Sequence, residues 1–178
     1  MPASFTFESE FESLARSYAE IERTLALPPE LVARVAPQVS GWSAEQHIAH
    51  LSLANELVAR NLRSLLKGAG PFVVDSGEPP AEALAILAAG VLPRGRAQAP
   101  RIVRPPEAVN REYLADWLAG NARDFAELRG KAEDLRACTK KVPHQILGPL
   151  TALEWVRFAA THTEHHLAIA RELVAAPR

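Results

Sequence analysis

The stretch 41-GWSAEQHIAHLSLANELVARNLRSLLKG-68 decides how this chain folds. Ser43 is followed three residues later by Gln46, the pairing of a capping box, in which two side chains satisfy backbone N–H groups that a helix start leaves free. Gly68 is a natural stop, because glycine adopts the left-handed conformation with which many helices end. At 100° per residue, Leu53, Ala54 and Leu57 fall within about 60° of His50. One apolar stripe therefore runs along a long helix, and His50 points into it. A helix of this kind is stable only when other elements cover that stripe.

Those elements lie on both sides. Upstream, Phe7, Phe11, Leu14, Tyr18, Ile21 and Leu25 recur at steps of three and four, which predicts a first helix that Pro28 and Pro29 end. A short helical piece follows around "PELVARV". Downstream, the start signal Pro105-Pro106 places a third long helix from about Glu107 to near Leu128, with Tyr113, Leu114, Trp117 and Phe125 toward one side. A fourth begins at Thr151, whose capping-box partner is Glu154, and runs to about Ala175. No segment alternates with period two over a useful length, and "PFVV" at 71–74 is too short and isolated to found a sheet. The expectation is an all-α, single domain over residues 1–178, with the four long helices forming a four-helix bundle. About 38 residues separate the second long helix from the third, carrying a short extra helix at "PAEALAILAAG" and the biased segment "PRGRAQAPRIVRPP". A crossover of that length can return the chain along the bundle, so the two helices that it joins can run parallel.

Composition narrows the function. Twenty Lys and Arg against 21 Asp and Glu give a net charge of −1, so no global field draws the chain to nucleic acid or an anionic membrane. Cys138 is the only cysteine, which excludes an internal disulfide and a multi-cysteine metal site; in "LRACTKKV" it reads as a structural thiol. The sequence shows neither a signal-peptide pattern near its start nor an apolar run near 20 residues, so a soluble, cytoplasmic protein is expected.

The chemistry is concentrated in 161-THTEHHLAIARELV-174, where three of the six histidines fall within five positions. Taking His162 as reference, Trp155 lies about 20° away, Phe158 about −40°, His166 about 40°, Ile169 about −20° and Leu173 about 20°. His162 and His166 thus share the inward stripe of the last helix. With His50, three imidazoles enter one core. Unpartnered, they would cost free energy, and together they cannot all be protonated. One divalent cation resolves both difficulties, taking two nitrogens from adjacent turns and a third from a facing helix. Three protein ligands leave a position for water or substrate, the pattern of catalytic zinc. The contrasting expectation is a metal-free bundle that binds a small ligand or forms a homodimer, its histidines kept for packing and hydrogen bonds.

Around these candidate ligands, His47 and His165 lie about 60° off their respective stripes and are read as flanking or supporting residues. Asn121 and Asp124, near the stripe of the third helix, are candidates for orienting a ligand or bound water. Glu164 should face away, and His144 is read as structural. Trp42 is expected to staple the helix start, and Glu45 to sit favourably on the helix dipole. Arg94, Arg96, Arg101 and Arg104 cluster in the crossover, where they could attract an acidic substrate. Nucleic acid is not expected there, since no stacking aromatics interleave with them.

Two segments, "GWSAEQHIAHL" and "GPLTALEWVRFAATHTEHHLAIA", resemble the helix start and the closing helix of the DinB/YfiT-like superfamily of metalloenzymes, in the same order and at a similar separation. The resemblance covers most of the chain. It implies a four-helix bundle with a long crossover between helices two and three, and a zinc or nickel site whose ligands carry over to His50, His162 and His166. It also implies a small-molecule substrate, with transfers to or from low-molecular-weight thiols and hydrolysis as the expected reactions. Many members follow the last histidine with Arg-Gly-Gln; here Leu167-Ala168-Ile169 stands instead.

Overall fold

The computed structural model describes residues 5–95 and 98–177. Its long helices are α1 (Phe7–Leu25), α3 (Ala44–Lys67), α5 (Arg111–Arg129) and α7 (Ala152–Ala175). Shorter ones are α2 (Pro29–Val32), α4 (Ala81–Ala89) and α6 (Ala132–Ala137), and a 3-10 turn covers Arg101–Val103. The fold is mostly helical, as the periodicity requires.

Local chemistry sets the helix limits. Ser43 accepts from the Gln46 N–H while Gln46 returns the bond to the Ser43 N–H, and Thr151 and Glu154 do the same for α7. Gly68 closes α3 at φ 61°, a backbone conformation costly for any residue with a Cβ. The α5 start differs from expectation. The segment after Pro105-Pro106 does not enter the helix; Gln46 holds the carbonyls of Pro106 and Glu107, and Asn110 caps α5 through the Tyr113 N–H. A polar cap, rather than the proline pair, fixes the boundary.

The long helices pack in a closed ring, α3 on α7, α7 on α1, α1 on α5 and α5 on α3. Side-chain bonds give their directions. Gln46 and Arg63, near the two ends of α3, meet residues 106–107 and Asp124, so α3 and α5 run the same way. Glu10 with Arg157 and Glu20 with Arg171 make α1 parallel to α7. Leu14, Ile21, Ile48, Leu51, Leu62, Leu114, Leu128 and Leu167 fill the centre, each almost inaccessible to water. A buried polar knot joins three of the helices, Asn55 Nδ2 donating to the Tyr18 hydroxyl at 2.9 Å and to Thr163 Oγ1 at 3.1 Å.

An element that the periodicity does not announce lies before α7. Val142–His144 (β1) and Gly148–Leu150 (β2) pair antiparallel, and Val74 adds one bridge to Lys141. Each strand has three residues and contains a proline, so no alternation could reveal it. The loop is held by His144, whose Nδ1 accepts the N–H groups of Ile146 and Leu147, both at 3.1 Å. Packing against Trp155 and Phe158 partly buries this imidazole and pushes its pKa from 6.5 down to about 4. Between those values the unfolded chain binds the proton more readily, so stability rises with pH; the contribution is complete above about 6.5 and lost as pH falls through about 4. His144→Asn keeps a side-chain acceptor for the two amides and removes the titration. Urea denaturation at pH 7 and near pH 4.5 should show the unsubstituted protein losing on the order of 2 kcal/mol more than the variant over that interval. Equal losses would show that the imidazole is not the acid-sensitive group.

Candidate metal centre

His47 and His50 lie on the first two turns of α3, and His162, His165 and His166 lie on the middle of α7, the two helices that pack most extensively on each other. The packing brings His50, His162 and His166 to one point, with one nitrogen of each within 4.8 Å of the others. His162 Nε2 lies 3.2 Å from His50 Nε2 and 3.1 Å from His166 Nε2. Two nitrogens bound tetrahedrally at zinc's usual ~2.0–2.1 Å would be about 3.3 Å apart, so the spacing fits a single divalent ion. His50 is buried, whereas His162 and His166 keep partial exposure, so the cluster is not sealed from solvent.

The outer nitrogens matter as much as the inner ones. His50 Nδ1–H donates to the Val103 carbonyl at 2.6 Å, which leaves Nε2 as a lone pair facing the cluster. His166 Nδ1 lies 2.8 Å from His47 Nδ1, and His47 Nε2 lies 2.9 Å from Ser40 Oγ. His162 Nδ1 is buried and has no hydrogen-bond partner among the described residues. Desolvation is the main force holding all four imidazoles neutral, with repulsion from neighbouring imidazoles adding to it at each and the Val103 bond opposing it at His50. Burial pushes His47 down to about 4, and His162 and His166 lie well below the ordinary histidine value. Neutral imidazoles are the form that binds metal.

Aromatic rings wall the cluster. Phe158 stacks on His162 with centroids 5.2 Å apart, and Trp42 lies 5.3 Å from His47 and 5.4 Å from His50. Trp42 does occupy the staple position before the Ser43 cap, but the group it packs against four residues into the helix is an imidazole.

The other candidates are placed as follows. His47 is buried inside the cluster, closer to it than a marginal position on the wheel suggests. His165 packs edge-on to His166 at 5.0 Å and lines a separate cleft of about 300 Å³ with Leu92, Arg94 and Thr161. Asn121 and Asp124 spend their hydrogen bonds elsewhere: Asn121 donates to the Ser52 carbonyl at 2.8 Å, and Asp124 holds Arg63. They tie α5 to α3, and neither bonds to an imidazole. Arg94 forms two bonds to Glu172, at 2.8 and 2.6 Å, so its charge is already matched. Arg101 and Arg104 are exposed on the crossover, and Arg96 lies outside the described residues. Glu164 is exposed and pairs with Arg171, facing away as the helical wheel requires. Cys138 donates to the Leu65 carbonyl at 3.2 Å, a structural contact.

The model of the DinB superfamily matches residues 13–170, and the chain belongs to that family. Among curated proteins and among solved structures, nothing matches. No helix among the described residues is long and apolar enough to cross a membrane.

Proposed function

We propose that the protein is a cytoplasmic metal-dependent enzyme of the four-helix-bundle type, in which His50, His162 and His166 hold one divalent ion, zinc or nickel. It would act on a small molecule by thiol-dependent S-transfer or by hydrolysis. The observation that carries this reading is the convergence of three neutral Nε2 atoms at 3.1 and 3.2 Å, two helices meeting at one point. When bound, such an ion supplies Lewis acidity, favouring the thiolate form of a thiol or acidifying a water.

The chain's own residues supply the rest. The Val103 carbonyl fixes the ring of His50, and the contact with His47 orients the ring of His166. Trp42 and Phe158 keep the cluster's flanks apolar, which strengthens electrostatic interactions inside it. Family membership favours S-transfer over hydrolysis for a substrate approaching the partly exposed side.

Metal analysis of protein isolated without an affinity tag should find about one zinc or nickel per chain, and the loaded protein should accelerate transfer of a low-molecular-weight thiol to an electrophile. The same N···N distances are also compatible with imidazole–imidazole hydrogen bonds, which is the observation favouring a metal-free ligand-binding or dimerising bundle. Absence of bound metal, together with no thermal stabilisation by added zinc or nickel, would overturn the metal reading and favour the second.

A further inference from the structure

A neutral imidazole carries a single N–H, on Nδ1 or on Nε2, and the neighbours of these four rings decide which. Val103 offers His50 a carbonyl, which can only accept, so His50 carries its proton on Nδ1 and its Nε2 is bare. His162 Nδ1 is buried without a partner. A proton there would be an orphaned donor, which folded proteins avoid more strictly than an unused lone pair. In the metal-free protein His162 therefore carries its proton on Nε2, facing the bare Nε2 of His50 at 3.2 Å.

That assignment propagates. A nitrogen that donates cannot also accept, so His166 cannot place a proton on the Nε2 that lies 3.1 Å from His162 Nε2. Its proton sits on Nδ1, and the acceptor within reach is His47 Nδ1 at 2.8 Å. His47 then carries its own proton on Nε2, aimed at Ser40 Oγ 2.9 Å away. Ser40 is itself fixed, its hydroxyl accepting the Trp42 N–H at 3.1 Å and its own N–H donating to the Ala36 carbonyl at 3.0 Å.

We propose that Ser40 and His47 form a positioning relay: Ser40 Oγ accepts from His47 Nε2–H, and His47 Nδ1 accepts from His166 Nδ1–H, which keeps the inward nitrogen of His166 bare. His47 acts through His166 and is not a ligand. Reversing the order would put a proton on His166 Nε2 as well as on His162 Nε2, so that two of the three inward nitrogens, rather than one, would have to give up a proton before an ion could bind. The relay ties the turn before α3 to α7, so the site is oriented from outside the two helices that carry its histidines. Its metal-binding consequence rests on His50, His162 and His166 being the ligands; the tautomer order does not.

Two measurements test it separately. Long-range 1H–15N NMR of the metal-free protein should show Nδ1–H for His50 and His166 and Nε2–H for His47 and His162. An Nε2–H signature at His166 would overturn the relay without touching the metal reading. Zinc affinity, measured by competition with a chromophoric chelator, should then separate two conservative variants. H47N puts an amide oxygen where Nδ1 stood and should bind within about threefold of the unsubstituted protein, whereas H47Q, which keeps only the Ser40 side of the relay, should bind about 10- to 100-fold more weakly. Equal affinities for H47N and H47Q would overturn the inference. Failure of the unsubstituted protein to bind zinc would instead remove the metal assignment, and the NMR signatures alone would then decide the relay.

Discussion

Replacing His162 with alanine is expected to weaken zinc or nickel binding by about a thousandfold or more, on the order of 4 kcal/mol. Among the three imidazoles, His162 is the one whose inward nitrogen is close to both others, at 3.2 and 3.1 Å. Without it, His50 and His166 remain on separate helices and two ligands must replace the work of three. The same substitution should cost the metal-free fold less, because it also removes a buried nitrogen that has no partner. Chelator competition reads the affinity. Thermal unfolding with and without metal reads the linkage: zinc at a thousand times its dissociation constant should stabilise the unsubstituted protein by about 4 kcal/mol and the variant hardly at all. Tight, stoichiometric binding by the alanine variant would show that the three-histidine cluster is not the metal site.

The second large effect is expected at an ion pair outside the histidine cluster. Glu10 lies on the buried stripe of α1 and bonds Arg157 of α7 at 3.0 Å, with side-chain exposures of 6% and 18%. The guanidinium also donates to the Leu87 carbonyl at 2.8 Å and lies over the Phe5 ring, so one cation ties α1, α4 and α7 together. Gly90 makes room for it: a Cβ there would collide with the guanidinium, and φ of 66° already favours glycine. Glu10→Ala leaves a buried positive charge without its counter-ion and should destabilise the fold by about 3 kcal/mol in urea titrations. Glu10→Ala combined with Arg157→Met should be less destabilised than the sum of the two single changes, because no charge is then stranded. Strict additivity would show that the pair is not coupled.

Both effects expose what residue spacing can and cannot announce. The helix starts at Ser43 and Thr151 were legible because a capping box is local chemistry written in four residues. The box at Thr6 was not, since its returning partner is Ser9 rather than Glu or Gln. His50, His162 and His166 were legible as a set because helical periodicity carries direction, and two inward stripes must meet. What spacing lacks is the rotation of one helix against another, and that rotation places His47 against His166 instead of at a margin. Nor does a backbone carbonyl carry any signature: the Val103 contact to His50 exists only because the crossover folds back onto α3. Asn121 and Asp124 were read from their wheel position alone, and their partners Ser52 and Arg63 had first claim on them.

His50 and His162 are separated by 112 residues of chain. An ion gripping both would act as a reversible clasp on a loop of more than half the chain, and closing a long loop constrains the unfolded chain more than closing a short one. Metal occupancy and mechanical integrity would then be linked quantities. Starvation for the ion would remove that clasp and leave the seam between α3 and α7 to its side-chain packing, the imidazole contacts and the Val103 bond alone.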